Sequence, residues 1–352
     1  MADAYTATTS LDYSTKAYNA RAAFALFPEL MYDQLADVFA TNQTHKGSSV
    51  QFNILSDLGV ASTALNETQD ISAVAVSDTT ITATLNEYGN VVLRTRALAG
   101  TSFIDIDPAL AEIIGRNAGV SVDEVAKNIV QAGTNVAFPA AGGHTTRATV
   151  TSTDLLTAHD VRLVRAFLAR NNAMKWIRGQ GGGAPPTYEE STFESLLRNP
   201  GTGWYAAMIH PDVALDLREQ SGSGAWRVPN EYASGMREEI WAGEIGEFEG
   251  FKFVENSRAP YFVQGGSANQ NVYGTLFMGK EGTGKIWANV EDNGPIPQVF
   301  ESPVVDRARR FKPLGWYWFG AYFVYRQNCL YRVESASSSG GTTTTEEPSI
   351  DQ

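Results

Sequence analysis

Cysteine is almost absent from this chain. Its 352 residues contain one, Cys329. An internal disulfide is therefore impossible, and no thiolate cluster can hold a metal. Histidine is scarce as well, at four residues: His45, His144, His159 and His210. No two have metal-ligand spacing. His159 falls in the first turn of a predicted helix and His210 precedes a proline, so both read as structural. Positive charge is in deficit. Lys and Arg number 27 against 39 Asp and Glu, a net charge of −12. That argues against a protein whose main task is gripping nucleic acid, which needs a concentrated positive face. Long apolar runs are missing too. The longest, around Trp316–Tyr325, is short and aromatic and does not reach membrane-spanning length. The opening MADAYTATTS lacks a basic region followed by an apolar one, so it does not read as a secretory signal. The Asn42 and Asn66 sequons then carry little meaning. No internal repeat is present.

What the chain does have is one very long strand pattern, from Thr79 to Ala97 (TTITATLNEYGNVVLRTRA). Ile81, Ala83, Leu85, Val91, Leu93 and Ala97 share one parity. Thr80, Thr82, Thr84, Asn86, Tyr88, Asn90, Arg94 and Arg96 share the other. This is the period of a strand with one apolar face, and β-branched residues dominate it. A strand of this length would span roughly 60 Å, against a usual ~17–20 Å. It must bend, with Gly89 as the place for a bulge, or project from its domain as an arm that another subunit covers.

Residues 1–23 read as a loose polar arm. A helix is predicted from Pro28, with Leu30, Met31, Leu35, Val38 and Phe39 as its stripe. A short strand follows at Ser49–Leu55, with Val50, Phe52 and Ile54 on one face. Ser56–Ser77 is loop-like, so the two strands make an extended ribbon. Asp107-Pro108 caps a helix whose apolar face runs to Gly133, either kinked at Gly115–Gly119 or split there by the capping box Ser121/Glu124. Pro139–Thr149 is a loop. Thr157–Asn171 is an amphipathic helix with Val161, Val164, Phe167 and Leu168 inward and Arg162, Arg165 and Arg170 outward. GQGGGAPP (179–186) is a surface loop. Trp204–Ile209 is a buried strand, and Pro211 starts a short helix. Phe251–Glu255, Val272–Met278 and Lys285–Val290 are strands, with Val299–Ala308 a further candidate. Trp316–Val333 carries aromatics on both parities, as a central strand covered on both faces requires. SASSSGGTTTTEEPSIDQ is a low-complexity acidic tail.

No catalytic, cofactor or metal site emerges. Gly279–Lys285 (GKEGTGK) matches the start of a phosphate-binding loop, but Ile286 stands where Mg²⁺ needs a hydroxyl. A strand pattern follows where a helix N-terminus is required, so a hairpin turn is the reading. No Gly-x-Ser-x-Gly elbow ends a strand. The acid pairs Asp105/Asp107 and Glu291/Asp292 are explained by capping and turns. Arg307, Arg309, Arg310 and Lys312 form the densest basic cluster, read as an ion-paired edge or a contact to a neighbouring subunit in preference to DNA.

Several stretches together resemble a family: FPELMYDQLA (27–36), GSSVQFNILSDL (47–58), TALNETQD (63–70), TATLNEYGNVV (82–92), VDEVAKNIVQAGTN (122–135), HPDVALDLR (210–218), GEIGEFEGFKFVEN (243–256) and SPVVDRARRFKPLGW (302–316). Their order and spacing resemble the major capsid proteins of tailed bacteriophages with the Hong Kong 97 fold, in the N4-type branch. The resemblance implies an α+β capsid fold with an N-terminal arm (1–46) and an extended β-hairpin E-loop (47–99). It also implies a peripheral domain with a long spine helix (100–150, completed by about 291–312) and an axial domain with a central sheet (151–290, completed by about 313–336). The acidic tail is 337–352. It implies a non-enzymatic protein without cofactor that self-assembles as pentamers and hexamers of an icosahedral shell around double-stranded DNA. Scaffold and portal proteins would be partners, with cementing proteins a further class, packaged DNA would be touched only weakly and non-specifically, and no membrane would be involved. Assembly is expected in the host bacterial cytoplasm, and residence in the virion capsid. The −12 charge suits a wall along which a genome slides. Intersubunit contacts are expected at Leu58, Leu65, Glu67, Asp70, Arg94, Arg96, Arg307, Arg309 and Arg310. An encapsulin-like bacterial shell protein is the alternative, and an α+β enzyme a more distant one.

Overall fold

The computed structural model describes residues 31–39, 49–55, 74–102, 106–176, 203–219, 243–288, 294–301 and 310–339. Along them the strands and helices run β1 (Asp37–Val38), β2 (Ser49–Leu55), β3 (Asp78–Thr84), β4 (Asn86–Thr95), α1 (Arg96–Thr101), α2 (Ile106–Gln131) and β5 (Val136–Ala137). Next come α3 (Ala158–Arg170), β6 (Tyr205–Ile209), α4 (Pro211–Glu219), β7 (Glu244–Phe248), β8 (Phe251–Glu255) and β9 (Tyr261–Phe262). The last are β10 (Val272–Met278), β11 (Thr283–Trp287), β12 (Gln298–Glu301), β13 (Phe311–Val324) and β14 (Leu330–Ser335).

Helix α2 is where the layers meet. Ile114, Ala118, Val122, Ala126 and Val130 recur every fourth position and are buried, the stripe of a helix turned toward a core. The cluster they join holds residues of both large sheets: Ala206, Met208, Val254, Leu276, Met278 and Leu330 from one, Trp316, Trp318 and Tyr322 from the other. The first sheet has seven strands in the order β5-β14-β10-β6-β8-β7, with β9 beside β10. Its opposite parity, including Ala207, Ile209, Phe251, Phe253 and Phe277, packs on α3 and α4. Every residue of β6 and of β10 is buried, as expected of strands covered on both faces. The second sheet has five strands, β1-β11-β13-β12 with β4 on the other edge of β13. Strands β2 and β3 form a separate antiparallel ribbon. Helix α3 shows how local sequence sets local structure. Thr157 and Asp160 complete a capping box, and Asn171 closes the helix.

Several expectations require correction. The long strand breaks at Leu85 and not at Gly89. Ile81, Ala83 and Leu85 pack on the ribbon side, but beyond the break the apolar parity switches. Tyr88 and Val92 now face the α2 core, and Val91 is exposed. Gly89 lies in a regular ladder opposite Tyr317. A Cβ there would stand 2.8 Å from the Trp316 carbonyl oxygen, so glycine serves close approach and not a bulge. Ala97 belongs to α1, whose first turn is capped by the Thr95 hydroxyl. The predicted helix from Pro28 is, over the described residues, a 3-10 turn at Asp33–Leu35 followed by β1. Its chain joins β11 in parallel, which leaves Val38 exposed. Ser121 and Glu124 lie inside unbroken α2, and Glu124 binds Lys127 and Arg258. Trp316–Val333 is not one strand. Its two halves, β13 and β14, belong to different sheets. The glycine-rich turn after β10 likewise joins no hairpin, because β10 and β11 also lie in different sheets. Ser335, Ala336 and Ser337 are buried, and Ser338 is held by Asp216, so these residues belong to the body although their composition reads as tail. The 179–186 loop lies outside the described residues.

Candidate assembly surface

The ribbon and the five-stranded sheet decide what this surface is. Side chains alternate along β13. Its even positions Trp316, Trp318 and Tyr322 face α2. Its odd positions Phe319, Ala321 and Phe323 face the ribbon and, with Tyr325 just beyond the strand, pack with Val50, Phe52, Ile81, Ala83 and Leu85. Phe52 stacks on Phe323 with ring centroids 5.1 Å apart. Among the described residues this cover ends at Phe319. The lower half of the same face carries Pro313 opposite Leu93, and Gly315 between Val91 on one side and Phe300 on the other. Cross-strand partners project from one face, so Val91 and Phe300 flank a row that the glycine leaves flat. They are 51% and 39% exposed. A Cβ on Gly315 would stand 2.7 Å from Val91 Cγ2. Val74 and Val76, just before β3, are exposed too, as is Ile296 ahead of β12.

A second constellation fixes where the N-terminal segment meets the body. Asp123, buried on α2, accepts the Asp33 backbone N–H at 3.0 Å. Lys285 Nζ lies 2.6 Å from Asp33 Oδ1, and the Tyr322 hydroxyl donates to the same oxygen. Arg258 reaches the Asp123 and Glu124 carboxylates and the Val120 carbonyl. Burial pushes the Asp123 carboxyl above its ordinary range, against the Asp33 amide and Arg258, which pull it down. Burial also raises the Tyr32 and Tyr322 hydroxyls, and neighbouring Asp123 and Asp33 add to this. The junction ties 31–33 to α2, β11, β13 and the turn after β8. Its chemistry is that of a tether.

The remaining candidates are placed as follows. Leu58, Leu65, Glu67, Asp70, Arg307 and Arg309 lie outside the described residues. Arg94, Arg96 and Arg310 come together at one end of the β4–β13 ladder. Arg94 is paired with Lys312, and the Arg96 N–H donates to the Arg310 carbonyl at 2.8 Å. Lys312 forms an ion pair with Glu301. Lys285 sits within β11 and is committed to Asp33, which is not the arrangement of a phosphate loop. His144 pairs with Asp154 at 2.8 Å, His159 is exposed, His210 is buried with Nδ1 accepting the Asp212 N–H, and His45 lies outside the described residues. Among the described residues no group of three His, Cys, Asp or Glu could hold a metal ion. No described helix is long and apolar enough to cross a membrane. Sequence reasoning missed Phe300, Pro313 and the Asp33–Lys285 tether. Pro313 alone carried a signal, since a proline within a strand marks an edge or a place without a ladder bond.

Comparison with known proteins agrees with this architecture. A family model described as phage capsid protein matches residues 31–326. No curated protein matches the chain. Among solved structures, the capsid asymmetric unit of cyanophage Pam1 is similar, with a TM-score of 0.62 at 12% identity over 96% of this chain and 100% of that one. The capsid of Ralstonia phage GP4 gives 0.64 at 11% identity, covering 95% and 96%. The head of Helicobacter pylori bacteriophage KHP40 gives 0.58 at 10% identity, covering 96% and 98%. At such identity the likeness shows the fold, which is the mixed α+β fold of phage capsid subunits. With the family model spanning most of its length, the chain belongs to the phage capsid protein family.

Proposed function

We propose that this is the major capsid protein of a tailed phage, assembling as pentamers and hexamers into an icosahedral shell around double-stranded DNA. The observation that carries this reading is the half-covered face of the five-stranded sheet. Exposed Val91 and Phe300, with half-buried Leu93 beside them and buried Pro313 and Gly315 as their floor, make an apolar surface next to a two-stranded ribbon that a neighbouring copy would bury. A two-stranded ribbon alone is marginally stable in water; this one rests on β13 by one face, and its other face, with exposed Thr80, Thr82 and Thr84, is open to a neighbour.

In this reading the fold is of the Hong Kong 97 type, N4 branch. Residues 1–46 are the arm, 47–99 the E-loop, 100–150 with 291–312 the peripheral domain, and 151–290 with 313–336 the axial domain. Helix α2 is the spine. Leu58, Leu65, Glu67, Asp70, Arg94, Arg96, Arg307, Arg309 and Arg310 are intersubunit residues. Assembly proceeds in the host bacterial cytoplasm with scaffold and portal proteins, and cementing proteins are a further class of partner. DNA is held weakly. The test is the full chain expressed alone and with its scaffold, followed by light scattering and electron microscopy. Megadalton shells or capsomers are expected. Only monomer or dimer under every assembly condition would overturn the reading.

A further inference from the structure

Residues 31–39 have almost no structure of their own. They make one 3-10 turn, without a side-chain cap at its start, and the two-residue strand β1. What holds them comes from far along the chain. Asp123 on α2 accepts the Asp33 N–H, and Lys285 and Tyr322 hold the Asp33 carboxylate. Asp37 accepts the Glu281 N–H at 2.6 Å, and the Phe39 N–H donates to the Lys285 carbonyl at 3.0 Å. A segment held only by distant partners keeps nothing local once they let go. Its two ends meet opposite faces of the five-stranded sheet. Met31, Tyr32, Leu35 and Ala36 pack in the α2 core. Strand β1 then runs along the β11 edge, and Phe39 packs on the ribbon face. Its ring centroid lies 5.3 Å from that of Phe52 on β2, 5.5 Å from Phe323 on β13 and 4.7 Å from Tyr325. Gly284 makes room for it, since a Cβ there would stand 2.7 Å from Phe39 Cε2 and 2.5 Å from Phe323 Cζ.

We propose that residues 31–39 are a strap that seats the β2–β3 ribbon on its own sheet, with Asp33 as the fastening and Phe39 as the contact that holds the ribbon down. While Asp33 is bound on the α2 face, Phe39 fills the corner between β2 and β13. When the fastening opens, the corner loses one of its rings and the ribbon lifts. A two-stranded ribbon has little stability of its own, so an aromatic contact at its base weighs heavily in whether it is seated. The linkage is reciprocal, and a loosened ribbon must loosen the strap by the same factor. The strap thereby passes the state of the chain ahead of Met31 to the ribbon, across the sheet from α2. The device works within one chain and stands whether or not copies assemble.

The test is amide hydrogen exchange, read by mass spectrometry on the full-length unassembled chain. The Asp33 side chain bonds on the α2 face, yet Asp33→Ala should speed exchange in β2 and β3 roughly tenfold, as well as in 33–38. Strands β6 and β10, in the other sheet, should keep wild-type rates. Phe39→Ala should speed the ribbon by at least as much and, by reciprocity, loosen 33–38. The two changes together should free the ribbon no more than Phe39→Ala alone, because an unlinked strap has nothing left to transmit. Should Asp33→Ala not fold, Tyr322→Phe removes one donor from Asp33 while keeping the ring, and should give the same pattern at smaller amplitude. Ribbon rates unchanged by loss of the fastening would overturn the inference. So would an equal rise in β6 and β10, which means general destabilisation, or strictly additive effects of the two changes. None of these outcomes depends on shell formation, so the inference and the shell reading fail separately.

Discussion

The two large sheets share α2 and differ in how much of their apolar surface the chain covers for itself. The seven-stranded sheet is closed on both faces, by α2 on one and by α3 and α4 on the other. Phe251, Phe253 and Phe277 are fully buried there. The five-stranded sheet is closed by α2 on one face only. The ribbon covers the part of the other face around Phe319–Tyr325, while Val91 and Phe300, flanking the buried Gly315, stay exposed. A closed sheet stabilises the subunit. A half-open one holds apolar area in reserve for association, at the risk of non-specific aggregation that every exposed apolar patch carries.

The sharpest way to break this contrast is to truncate a phenylalanine in each sheet. Phe277→Ala should cost about 3–5 kcal/mol of subunit stability, because a fully packed ring leaves a cavity. Phe300→Ala should cost less than ~1 kcal/mol in the free subunit and still reduce shell yield. Denaturant unfolding of unassembled protein measures the first pair of values. Equal losses would mean that Phe300 is part of a closed core and that the contrast is false.

A smaller effect is expected where the five-stranded sheet holds residues 31–33. Lys285→Ala removes a buried cation from Asp33, whose side chain stays 37% exposed and keeps the Tyr322 donor. A loss of about 1–3 kcal/mol follows from an unmade charge-assisted bond. A phosphate-loop lysine would instead show nucleotide-dependent stabilisation, lost in the variant. Thermal melts with and without ATP separate the two.

The smallest effects are in the pH response, where two carboxylates should act with opposite sign. Hydrogen bonding by Arg162 first, then its charge and those of Arg165, hold Glu249 below the usual carboxylate range. Its contribution is present above the unfolded-state pKa and is lost as pH falls through the folded one. Asp123 is raised by burial. Its ionised form therefore costs stability above the folded pKa, and that cost fades as pH falls toward the unfolded value. On acidification wild type should lose stability relative to Glu249→Gln and gain it relative to Asp123→Asn, each by less than ~1 kcal/mol. Denaturation midpoints against pH read both, and parallel slopes would contradict the burial assignment.

Much of the fold was legible locally. Strand β2 has the bounds its alternation predicts, Ser49–Leu55. Helix α3 starts at the Thr157 cap and ends at Asn171. Both are written by nearest neighbours, through a period of two in one case and a cap with a 3.6-residue stripe in the other. The candidate surface was legible in part. Arg94, Arg96 and Arg310 stood out as basic residues, but their meeting at one ladder end did not, because more than two hundred residues separate them in sequence. The apolar row was invisible for the same reason. Val91 read as a partner of Leu85, and only the break between β3 and β4 turns it to the opposite environment.

By itself, the sequence determined the alternating strands, the helix stripes and caps, and the acidic stretch between Lys46 and Arg94, which holds no Lys or Arg. These follow from residue type and short-range geometry. Only the tertiary structure decided which sheet each strand joins. Strands β10 and β11 are separated by one tight turn and go to different sheets, as do β13 and β14. A strand's period says that one face is apolar, but any complementary face can bury it. The choice among distant partners is made by the packing of the whole chain around α2, where Trp316, Trp318 and Tyr322 meet Ile114, Ala118 and Val122.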